Sequence, residues 1–189
     1  MKSFFRKLLI FTLPVVLLCY PLDIFLSKQL SKSNYYAQDE YSVWNDLYDG
    51  NVNVDIAIYG SSRAWVHIDP AIIEKETGLT AYNLGIDGTH FWLQYLRHRL
   101  LLENNSPPKQ IIFSLDLFAL EKTTELYNSD QFLPYMLFNR QMKQYLDAFD
   151  SFNFADYYFP LVRYYGKKKA LNNAVKNSII PTSPDSGRK

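Results

Sequence analysis

A length of 189 residues allows one domain, or one domain with an appendage. A net charge of +1, with no basic stripe beyond Lys167–Lys169, excludes the electrostatic footprint of a nucleic-acid binder. The lone Cys19 excludes an internal disulfide, so cysteine usage does not report the redox compartment.

Lys2, Arg6 and Lys7 make residues 1–7 a basic flank. Leu8–Leu26 follows, apolar except at Thr12, Pro14, Tyr20, Pro21 and Asp23. As a helix this run rises about 28 Å, close to the hydrocarbon thickness of a bilayer. Leu8–Leu18 is apolar on all faces, which argues against a buried amphipathic helix. A cleaved signal peptide is the competing reading. No small-x-small site precedes Ser27, and Leu18 before Cys19 is too large for a lipoprotein box, so an uncleaved signal anchor over 8–26 is favoured. The basic flank predicts a cytoplasmic N-terminus and an extracytoplasmic body, with the lipid bilayer as the first partner.

Ser27–Gln38 is polar and reads as a juxtamembrane linker. Glu40–Tyr48 predicts a short helix with Tyr41, Trp44, Leu47 and Tyr48 on one face, ended by Asp49-Gly50. Residues 27–50 form this linker and helix. Val54–Tyr59 is an apolar strand that runs into the turn Gly60-Ser61-Ser62. Asp69, Pro70 and Gly78 are the N-cap, first residue and C-terminal stop of a helix over Pro70–Thr77. Thr80–Leu84 is a second strand and Thr89–Glu103 a second long helix. After the Pro-containing loop Asn104–Lys109, Gln110–Leu115 is a third strand, followed by Asp116. Strands alternating with helices at this spacing predict βαβ units and a parallel sheet.

Residues 121–180 change character. Gln131–Phe149 and Phe154–Lys176 are aromatic-rich and read as helical or irregular, with no fourth or fifth parallel strand. Residues 181–189 are polar and Ser/Pro-rich and read as a disordered tail. Three strands are few for a parallel sheet, so the chain reads as the front of an α/β domain.

Polar, backbone-permissive residues stand just past the C-terminal ends of the strands, where open α/β sheets assemble their sites. Here the chain resembles the SGNH/GDSL hydrolases over about Val54–Leu120. Gly60-Ser61-Ser62 stands where that family has Gly-Asp-Ser, which implies Ser62 as nucleophile, with Ser61 in place of the Asp. Asn83, Gly85 and Gly88 match its second block, Asn-x-Gly-x-x-Gly-x-Thr, with Thr89 one position before the block's Thr, and imply the Gly88 amide as an oxyanion donor beside that of Ser62. Asp116 stands where the third block has an Asn that donates to the oxyanion. A carboxylate cannot donate there unless protonated.

The family's Asp-x-x-His has no counterpart, since no histidine follows Leu120. A serine hydroxyl needs a base, and the histidines present are His67, His90 and His98. The resemblance implies a flavodoxin-like three-layer α/β/α fold with an incomplete parallel sheet over 51–120. It further implies a membrane-anchored serine esterase or acyltransferase of the cell envelope, shortened before its catalytic histidine. Its partners would be an acyl-donor membrane protein or an envelope polymer, and no cofactor or metal is implied. The alternative is a non-catalytic envelope or assembly protein that keeps the fold. Arg63 is read as pairing with Asp116, and Asn83 and Gly85 as supports of the turns.

Overall fold

A computed structural model of the chain describes residues 2–33, 36–88, 91–117, 119–180 and 188. Helix α1, Lys2–Leu30, is long and apolar enough to cross a membrane. Its large apolar side chains from Phe4 to Leu22 are largely bare. The buried part begins at Asp23.

Asp23 directly follows the bare segment and is 1% exposed. Arg163 reaches both of its carboxylate oxygens, at 2.8 and 2.6 Å, and the Leu161 amide donates to it at 2.6 Å. Ser27 bonds both Arg163 and the Tyr164 hydroxyl. The segment from Ser27, read from its polarity as a linker, therefore continues the helix to Leu30. Ser27 and Ser33 are buried against the domain, while Lys28 stays exposed.

The body is α/β with a small parallel sheet. Helix α2 (Glu40–Asp49) precedes β1 (Ile56–Tyr59), the short helix α3 (Ser62–His67) and α4 (Pro70–Thr77). Then come β2 (Ala81–Asn83), α5 (Phe91–Asn104) and β3 (Gln110–Phe113). The strand order is β2-β1-β3, with Ile58 opposite Asn83 on one side and Ile112 on the other. The strands are shorter than the apolar runs suggest because the flanking residues turn away into the loops. Helix α4 keeps its expected bounds: Asp69 accepts from the Ala71 amide at 2.9 Å, and the amide of Gly78 (φ +70) closes the last turn on Glu74.

All four residues of β1 are buried. Ile56 and Ile58 pack with Ala81 against Ile68, Ile73 and Leu79 on the α4 side. Ala57, Tyr59 and Tyr82 join the main core with Trp44 and Leu47 of α2 and Leu93, Leu96 and Leu100 of α5. The two helical layers cover β1 and β2. β3 is barer: Ile111 is 51% and Ile112 37% exposed.

Residues 121–128 are irregular, and the chain from 129 to 180 is largely helical. It holds α6 (Arg140–Leu146), α7 (Phe154–Tyr158) and α8 (Lys168–Ile179), with 3-10 turns between. α8 lies along the buried end of α1. Its small residues Ala170 and Ala174 share one face with Asn177, which donates to Gln29 O at 2.9 Å and Ser33 Oγ at 2.7 Å. Of the tail read as disordered, all but Arg188 lies outside the described residues. Arg188 itself is 2% exposed, because its guanidinium finds a buried carboxylate.

That carboxylate is Glu40, the first residue of α2. It faces Arg97 of α5 on one side and Arg188 at 3.1 Å on the other. Arg97 also donates to the carbonyls of Leu84 and Gly85 at 3.0 and 2.9 Å, and its guanidinium lies 4.7 Å from the centre of the Trp44 ring. Replacing Glu40 by Ala leaves two guanidinium groups without their buried counter-charge and is expected to destabilise by about 3–5 kcal/mol. Arg188→Ala leaves the Glu40–Arg97 pair intact and is expected to cost about 1–2 kcal/mol. Chemical denaturation of the full chain in detergent micelles, followed by tryptophan fluorescence, measures both; equal losses would contradict this ranking.

Candidate active site at the ends of the parallel strands

The turn after the central strand is set by Gly60. A Cβ there would stand 2.6 Å from the Ala64 Cβ and 2.9 Å from the Ser114 Cβ, so only glycine lets the chain pass between α3 and the end of β3. Ser61 then caps α3, its Oγ accepting from the Arg63 amide at 3.2 Å. The same hydroxyl donates to Asp116 beyond β3, and Arg63 Nη1 lies 3.1 Å from the other Asp116 oxygen.

Ser61, Arg63 and Asp116 thus tie the first turn to the third. The Arg63 side chain is 70% exposed while that of Asp116 is 2% exposed. Solvent screens such a pair, which then contributes about 0–1 kcal/mol. Its effect is to orient the turn. The pairing expected for Arg63 is present.

The second turn is held by Asn83. Its amide group donates to the carbonyls of Ala64 and Ile68, both at 2.8 Å, and its Oδ1 accepts from the Gly85 amide at 3.0 Å. A Cβ on Gly85 would come within 2.8 Å of the Trp65 nitrogen. Gly85 therefore lets the second turn press against α3. The Ile86 amide bonds Gly60 O and the Ser114 amide bonds Tyr59 O, so the central turn is bonded to both neighbours.

Gly88 is exposed, with φ +61. The Tyr127 ring lies over it, so close that a Cβ would stand 2.6 Å from ring carbons. Gln38 donates to the Tyr127 hydroxyl at 3.0 Å. Thr89 and His90 lie outside the described residues.

Ser62 opens α3 and is half-buried; its hydroxyl makes no hydrogen bond among the described residues. The two serines therefore differ: Ser61 is spent on Asp116 and the α3 cap, and Ser62 is unengaged.

Neither described histidine serves Ser62. His67 ends α3, five residues on, about 140° around the helix and 7.5 Å along it. His98 lies in α5 and bonds the Tyr59 hydroxyl at 3.0 Å. There it lines a cavity of about 160 Å³ with Phe91, Tyr95, Ile111 and Phe113. Among the described residues, no three His, Cys, Asp or Glu side chains group as a metal site.

Three participants at this sheet edge escape sequence reasoning: Tyr127, Arg97 and Arg188. Arg188 accepts the Asn83 amide on its own carbonyl at 3.0 Å, and its guanidinium bonds Gly85 O and lies 4.9 Å from the centre of the Trp65 ring. It sits in a polar tail that carries no local signal for burial. No protein-family model, curated protein or solved structure matches the chain.

Burial, and then the charge of Arg99, hold the His98 pKa below its usual value. The unfolded chain therefore binds this proton more readily. The stability His98 contributes is complete above its unfolded pKa of about 6.5 and falls as pH drops toward the folded value. Denaturation midpoints of wild type and His98→Gln should converge or cross between pH 7 and pH 5, with wild type losing more. Parallel pH profiles would show that His98 is not held neutral in the fold.

Proposed function

We propose that the chain is a membrane-anchored, SGNH-like protein of the cell envelope, of the serine esterase or acyltransferase kind. In this reading Ser62 holds the nucleophile position and the base comes from outside the described residues. α1 is its anchor, with the N-terminal flank in the cytoplasm and the body outside. The observation that carries the reading is the division between the two serines. At the turn of the central strand, Ser61 fixes the backbone, and the Ser62 hydroxyl has no hydrogen-bond partner among the described residues.

In an acyl transfer, the Ser62 Oγ would attack the acyl carbonyl while a base takes its proton. The amides of Ser62 and Gly88 would face the developing oxyanion. A donor of that kind contributes about 10²–10³-fold in rate. Asp116 is engaged by Ser61 and Arg63 and acts as a strut. It leaves the third donor position of the family unfilled. The bare β3 edge adjoins the Asp116 turn and leaves room beside it for a further element. Engagement of Asp116 is also the specific support for the second reading, a non-catalytic assembly protein built on the same fold.

Substrate, base and oxyanion donor can be supplied separately. The full chain in detergent micelles should hydrolyse a short acyl ester no faster than its Ser62→Ala variant. With imidazole added as an external base, Asp116→Asn should raise the Ser62-dependent rate about tenfold or more. Absence of any Ser62 dependence would leave the assembly reading. Fast turnover by the unmodified chain that Ser62→Ala abolishes would show a base within it, which His90→Ala and His67→Ala would identify.

A further inference from the structure

We propose that the surface around the exit of α1 is a bilayer-contacting collar, whose partner is the headgroup and upper acyl region of an anionic phospholipid membrane. This rests on the reading of α1 as a membrane anchor.

The collar starts on α1 itself. The Tyr20 ring is 6.2 Å from that of Phe138, Phe138 is 6.4 Å from Tyr158, and Tyr158 is 4.5 Å from Phe154. The rings run outward from the point where the bare helix enters the domain. Phe138 and Phe154 are 53% and 64% exposed, Phe159, next in the chain to Tyr158, is 55% exposed, and Tyr165 is 91% exposed. On the opposite face of α1, Leu22 and Leu26 border a groove of about 740 Å³ whose lining also includes Pro160, Val162 and Tyr165, so the apolar surface extends around the helix. The bare apolar surface of α1 thus continues into the domain. Aromatic side chains with one apolar and one polar end suit the membrane interface, and amphipathic elements lie in it.

Two further observations point the same way. Phe138 has φ 56 and Leu161 has φ 69, left-handed conformations that strain a bulky residue. Leu161 donates to Asp23, and the Phe138 amide bonds Tyr157 O. The fold accepts strain at Phe138 and leaves about half of its ring uncovered beside Tyr20 and Tyr158. In addition, α8 opens with the exposed Lys168 and Lys169, three and four residues after Tyr165, and has no acidic residue in its first turn. Cations at a helix N-terminus oppose its dipole, and anionic headgroups offset that repulsion.

The test uses the full chain with Cys19→Ser, reconstituted into vesicles of phosphatidylcholine and phosphatidylglycerol. Single cysteines at Phe138, Phe159 or Tyr165 carry a nitroxide, with Val16 as the anchor control and Ile72 as the water control. Accessibility to oxygen is compared with accessibility to a water-soluble nickel chelate. The expected result is that the Phe138, Phe159 and Tyr165 labels favour oxygen, as Val16 does, while Ile72 favours the chelate. Tyr165, being almost wholly exposed, keeps the test sound if labelling at Phe138 disturbs the fold. If Val16 favours oxygen but the other three behave like Ile72, the anchor stands and the collar is overturned. If Val16 favours the chelate, both fail.

Discussion

The carboxylate of Glu40 opens α2 inside the protein, where such an ion is tolerable only against a fixed counter-charge. Arg97 supplies it from α5, and the rest of that guanidinium is spent on the carbonyls of Leu84 and Gly85. One ion pair therefore joins the helix before the sheet, the helix after β2 and the turn between them. None of the three can be moved without stranding a charge. The geometry of the second turn, and through Gly85 its contact with α3, follows from this constraint.

The serine turn inherits its order from there. Asn83 binds α3 by two carbonyls and Gly85 by its amide. Gly60 and Gly85 admit backbone where any side chain would collide. Asp116 then closes the third side. The edge is well organised as a scaffold and, among the described residues, poor in proton acceptors for Ser62. That contrast is why the proposed chemistry hinges on what is brought to the turn more than on the turn itself.

Features with local causes were legible in the sequence. The cap, first residue and stop of α4 are encoded by Asp69, Pro70 and Gly78 within a few residues. The strand cores, their parallel pairing and the Arg63–Asp116 contact follow from apolar runs and turn positions. What escaped was non-local. Glu40 and Arg97 are ordinary surface residue types until folding brings them together. Asp23 reads as an interruption of an apolar run until Arg163, far along the chain, meets it. The exposure of Ile111 and Ile112 runs against their residue type, and only the missing cover on β3 reveals it. Of the site, the three turns were legible; the ring of Tyr127 over Gly88 and the burial of Arg188 were not.

The way Asp23 is held has a mechanical consequence. A domain on a flexible string sweeps a volume, and its reach is set by the length of the string. Here the apolar helix enters the domain without a break and is bolted on arrival by Arg163, Leu161 and Ser27. The joint behaves as a post. Only Pro14 and Pro21 weaken its ladder, each removing one backbone donor, so bending is confined to the carbonyls of Ile10 and Leu17. On a membrane, such a post carries the serine turn at a set height and heading. Under the proposed function, a substrate for Ser62 would be delivered to that level, by diffusion within the plane more than by a search through the space above it.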